Sequence, residues 1–149
     1  MSSTTTLGLF GLGILAGSLI TVQTVLNSSL GARAGVFGSI LILTIISFIF
    51  LIVLIVIFPS TARFRELPGL SKWYLYLGGV LGVIIVALPI FLVPRIGAAV
   101  TLTAIVVGQL TLAMIVDHYG LLSVPKINVS FLRIVGIALV ALGAYLVAR

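Results

Sequence analysis

The chain has 149 residues, 62% apolar and 7% charged, with eight Lys or Arg against two acids and a mean hydropathy of +1.46. That composition excludes an ordinary soluble domain and places the chain among multispanning membrane proteins. The basic excess does not make a nucleic-acid surface, because the bases stand singly at the ends of apolar runs, where lipid head groups lie. Cysteine is absent, which removes disulfides and thiolate metal sites.

Five apolar runs, 7–27, 36–58, 73–93, 97–116 and 131–148, approximate the roughly 20 helical residues that cross a hydrocarbon core about 30 Å thick. They are continuously apolar and lack the alternation of barrel strands, so they predict helices. The expected fold is an all-α membrane protein, one five-helix transmembrane domain over residues 1–149. The first run is read as a retained span, since Met1 to Thr6 carries no Lys or Arg. The gaps between runs are too short for a folded soluble domain.

An odd number of crossings puts the two ends on opposite sides. The side of the N-terminus carries Arg63, Arg65, Lys72, Lys126 and Arg133, and the other side Arg33, Arg95 and Arg149. The positive-inside rule then gives a weakly cytoplasmic N-terminus. So small a bias is compatible with insertion both ways, hence with an antiparallel homodimer of the inverted-repeat kind. Parallel self-association in one orientation stands beside it as the alternative.

The first helix has Gly13 and Gly17 on one face, suited to close packing. Gln23 and Asn27 share a face farther on: Gln23 is expected to line a water-filled cavity, and Asn27 to sit where the helix stops, before the turn Ser28, Ser29 and Gly31. In the second helix Thr44 and Ser47 are expected to bond back to carbonyls one turn earlier, and Pro59 ends the run. The loop with Arg63, Arg65, Glu66, Pro68 and Gly69 reads as a solvated or head-group segment.

Lys72, Trp73, Tyr74 and Tyr76 open the third helix as interface anchors. Gly78, Gly82, Ile85 and Pro89 then form one stripe, and Pro89 frees the Ile85 carbonyl, giving either a packing kink or a gate. Pro94, Arg95 and Gly97 predict a tight turn. The fourth helix carries the most polar interior, with Thr101, Ala104, Gly108 and Thr111 on one face and Thr103 and Gln109 beside it. An amide as deep as Gln109 must face protein or water.

Asp117, His118, Tyr119 and Gly120 end that helix, either as termination with head-group contact or as a proton-coupling pair. The fifth helix, with Arg133, Gly136, Gly143, Tyr145 and Arg149, reads as a packing or dimerising element. Substrate-binding candidates are therefore Gln23, Asn27, Thr101 and Gln109, and coupling or gating candidates Pro89, Asp117 and His118. Catalytic machinery, a phosphate loop, a metal-ligand cluster and a cofactor site are not expected.

Several landmarks recur in order: Gln23, Asn27, Leu30 and Gly31; Trp73 with Gly78, Gly79 and Gly82; Pro94, Arg95, Gly97, Ala98 and Ala99. They continue through Gly108 and Gln109, then Asp117, His118, Tyr119 and Gly120, and end at Arg133, Gly136 and Gly143. In these the chain resembles the YdcZ-type half-size family of the drug and metabolite transporter superfamily. The resemblance implies a prokaryotic cytoplasmic-membrane protein, one half of a ten-helix fold with inverted halves, completed when two chains join. Unlike small multidrug exporters, the chain has no acid in the middle of its first helix, where their proton-coupling carboxylate would sit. The expected activity is movement of a small polar or zwitterionic solute by alternating access, with an unidentified coupling ion. A non-transporting accessory subunit is the rival.

Overall fold

Glycine and proline decide where these helices stop. The computed structural model describes residues 3–121 and 124–149, and every regular element among them is helical. In chain order they are α1 (Ser3–Ala34), α2 (Val36–Ile57), α3 (Leu77–Ile96), α4 (Ala98–Tyr119) and α5 (Phe131–Val147). Three 3-10 segments, Pro59–Thr61, Phe64–Glu66 and Leu70–Tyr76, connect α2 to α3.

The first helix is longer than its apolar run. It continues through Ser28, Ser29 and Gly31 to Ala34, so Asn27 lies inside the helix and not at its end. What stops α1 is Gly35, at φ 74° and ψ 164°, a backbone region that is nearly glycine-only. A second boundary also moves. Trp73, Tyr74 and Tyr76 belong to a 3-10 segment broken at Lys72 (φ −110°, ψ 37°), and α3 begins only at Leu77. The Tyr76 hydroxyl donates to the Pro68 carbonyl at 2.7 Å, tying this segment to the loop before it.

Pro94 and Arg95 lie in the last turn of α3, and the break expected at Pro94 falls entirely on Gly97 (φ 80°, ψ 160°). Proline's locked φ is itself helical, and near a helix end it forfeits only the bond to the carbonyl four residues back. Pro89, one turn and a half earlier, sits within α3 as expected.

By contacts the chain forms two compact units, Met1–Pro94 and Arg95–Arg149. In the first, α1 packs on α2; in the second, α4 packs on α5. Four helices are long and apolar enough to cross a membrane: Leu7–Ala34, Val36–Ile57, Ser71–Ile96 and Ala98–Tyr119. The fifth, Phe131–Val147, has 17 residues, which at 1.5 Å per residue gives about 25 Å, the short end of the spanning range.

Burial is inverted relative to a soluble protein. Among the described residues Ile40 and Ile90 are the buried aliphatic side chains, whereas Thr24, Asn27, Ser28, Ser39 and Thr101 are buried polar ones. Leu, Ile, Val and Phe side chains point outward along every helix. Lipid tails are as apolar as leucine, so burying such residues gains little, and small or polar side chains occupy the helix contacts instead.

Candidate functional site

Within the first unit, the face of α1 that turns inward is polar. Thr24, Asn27 and Ser28 are three and four residues apart, so they share one side of the helix with Gly31 one turn on. All three are buried, as are Ser39 and Ile40 of α2 and Pro89 and Ile90 of α3. Gly31 is the contact point: a β-carbon built there overlaps the Cγ2 of Ile90, and Ser39 Oγ lies 3.5 Å away. The absence of a side chain at 31 thus admits Ile90 to the α1 backbone. Asn27 and Pro89, taken from the sequence for separate roles, are both buried within this unit.

Gln23 and Gln109 are placed differently. Each is exposed on the surface of an apolar helix of spanning length, Gln23 in the first unit and Gln109 in the second. Thr101 is fully buried, and its hydroxyl donates to the Gly97 carbonyl at 2.7 Å. Other hydroxyls also bond within their own helices: Ser18 to Ile14, Thr21 to Gly17, Thr103 to Ala99 and Thr111 to Val107. Back-bonding of this kind is the ordinary structural use of Ser and Thr in apolar helices. The amides differ, because a Gln side chain carries both donors and an acceptor on a longer arm.

Ser39, not singled out in the sequence, is the counterpart of Thr101. Gly35 and Gly97 have nearly the same backbone angles, and each caps the helix that follows. Four residues on, Ser39 N–H donates to the Gly35 carbonyl at 3.0 Å and Thr101 N–H to the Gly97 carbonyl at 3.2 Å. Both side chains are 0% exposed. The sequence signal is a repeated Arg-x-Gly-x-x-x-Ser/Thr, once at Arg33, Gly35 and Ser39 and again at Arg95, Gly97 and Thr101.

Asp117 and His118 lie in the last turn of α4 and are half-buried. Three bonds converge on Asp117. Its carbonyl accepts from Gly120 N–H at 3.3 Å and Ile127 N–H at 2.8 Å, and its carboxylate accepts from Arg133 Nη2 at 3.0 Å. The Ser130 hydroxyl caps α5 by accepting from Arg133 N–H, so Arg133 is held at both ends. The Nδ1 of His118 accepts from Val129 N–H at 3.4 Å, and its ring meets the Tyr119 ring edge-on at 5.0 Å. Arg133 is the partner that spacing along one helix does not show, because it comes from the next one. Above the ion pair, Leu110, Met114, Gly136, Ile137 and Val140 line an apolar groove of about 370 Å³ between α4 and α5.

The interior of the first unit is therefore uncharged and hydrogen-bonding, and the ion pair of the second sits at a helix junction. Among the described residues no three His, Cys, Asp or Glu converge as metal ligands. Neither a curated protein nor a solved structure matches the chain. Residues 8–146 match the family described as "Putative inner membrane exporter, YdcZ". That match takes in nearly the whole chain, reaches from the first helix to the fifth and includes every candidate residue, so this protein belongs to the YdcZ family, small relatives of the drug and metabolite transporters, and is a multi-pass inner-membrane transporter.

Proposed function

We propose that the chain is half of a transporter: two copies form a dimer that moves a small polar solute across a prokaryotic inner membrane by alternating access. The observation that carries this reading is the exposure of Gln23 and Gln109 on helices that are otherwise lipid-compatible. An amide left in hydrocarbon costs several kcal/mol in roughly the way any unpaired polar group does, so each needs an answering surface. A second copy, with the solute path between the two, supplies one. The family match and the spanning lengths support the membrane part of this reading, and the buried Thr24, Asn27 and Ser28 support a polar lining.

Neutral amides and hydroxyls favour a polar or zwitterionic solute over a bare cation, which needs a buried counter-charge. Pro89 is the proposed hinge of α3, and Asp117 with His118 the proposed coupling or gating point. The test is solute uptake or efflux by purified protein in vesicles, screened across polar solutes, with Gln109→Leu beside the native chain. Transport lost in a variant that still folds supports the reading. Unaltered transport removes Gln109 from the path, and absence of transport for every solute favours an accessory subunit, a role in which back-bonded hydroxyls would be purely structural.

A further inference from the structure

The segment between α2 and α3 does more than connect spans. It leaves Phe58, Phe64, Leu67 and Trp73 more than half exposed, a run of apolar and aromatic surface. Between these stand Arg63, Arg65 and Lys72. Glu66 is the one acid of the segment, and it reaches only Arg63, at 3.6 Å with both side chains about 70% exposed, 73% and 69%. No ion pair occupies Arg65 or Lys72 among the described residues. The turn Ala62–Glu66 curves around a hollow of about 360 Å³. The bond from Tyr76 to the Pro68 carbonyl holds the far end of the segment in place, so aromatics and bases are presented together.

We propose that residues 58–76 form a binding surface for anionic phospholipids, with Phe64, Leu67 and Trp73 seated in the interface and Arg63, Arg65 and Lys72 on the phosphates. The charge complementarity is direct: three bases and one acid stand among these side chains, and the Trp73 indole, an apolar ring with a polar N–H, fixes the depth. Polybasic segments next to a span attract anionic lipid within about a Debye length of the surface. The surface belongs to the first unit alone and does not rest on the transport reading.

Trp73 is the chain's one tryptophan, so its fluorescence reports on this surface. The protein is reconstituted in vesicles of phosphatidylcholine and phosphatidylglycerol in which one lipid or the other is brominated, and quenching of Trp73 is compared at equal mole fraction. The expected result is an enrichment of the anionic lipid of about fivefold at low salt, shrinking as salt is added. Arg63→Gln/Arg65→Gln/Lys72→Gln brings the two lipids to equal quenching, and Lys126→Gln/Arg149→Gln leaves the preference intact. Equal quenching in the native protein overturns the proposal. So does a preference that survives the triple substitution, or one abolished by the substitutions at Lys126 and Arg149.

Discussion

Arg133 donates through Nη2 to Asp117 at 3.0 Å, joining the first turn of α5 to the last turn of α4. Arg133 Nη1 is buried without a hydrogen-bond partner, so the Asp117 carboxylate is the group that answers this guanidinium. Part-exposed ion pairs contribute about 1 kcal/mol or less, and a lost charge-assisted hydrogen bond roughly 1.5–3 kcal/mol. Asp117→Asn, Arg133→Gln and the double variant, compared by thermal unfolding in detergent, should show a coupling of about 1 kcal/mol, the double variant losing less than the sum. Strict additivity would mean that the pair is incidental.

The close approach of Ile90 to Gly31 makes position 31 intolerant of any side chain. Gly31→Ala forces an isoleucine out of its rotamer or α1 off α3 locally, at about 1–3 kcal/mol. A lower unfolding temperature is the expected reading. Partial recovery in Gly31→Ala/Ile90→Ala locates the cause in that contact; no recovery places it elsewhere.

Gly35 and Gly97 hold one backbone conformation at two corresponding breaks, with φ 74° and 80°. Nothing lies within 4 Å of a carbon added at either site, so the cost of alanine there is the backbone strain of a positive φ alone, about 1–3 kcal/mol. The two single variants should therefore lose similar stability. A near-neutral Gly97→Ala beside a damaging Gly35→Ala would show that the repeated geometry is not equally required.

With five crossings the bases divide five to one side and three to the other, a bias small enough to leave both orientations open. We predict that C-terminal reporter fusions find the C-terminus on both sides of the membrane, and that a basic pair added beside Arg33 shifts the population toward the inverted form. A single sidedness in the native chain would rule out an antiparallel homodimer and leave a partner of opposite orientation to complete the fold.

His118 accepts from Val129 N–H through Nδ1 at 3.4 Å. That role requires Nδ1 to be free of a proton. His118→Phe keeps the ring beside Tyr119 and removes the acceptor, with an expected loss of about 1 kcal/mol and faster hydrogen exchange at Val129. Unchanged exchange there would show that the bond is not maintained.

Length, hydropathy and the positions of proline and glycine were enough to place five helices, because a hydrocarbon slab demands about 20 apolar residues per crossing and tolerates few exceptions. The run from Gln23 to Gly143 likewise carried the family. What the linear order did not show was which side chains meet. Asn27 looked terminal because polar residues cluster after it, yet the helix runs on to Gly35, where a positive φ ends it. Ser39 is marked in the sequence only by the Arg-x-Gly-x-x-x-Ser/Thr repeat it shares with Thr101, and the fold shows that both are buried. The partnership of Asp117 with Arg133, and of Gly31 with Ile90, depends on separate helices coming within a few ångströms. Solvent preference is written residue by residue along a chain, whereas contact is a property of pairs, and only the folded helices choose the pairs.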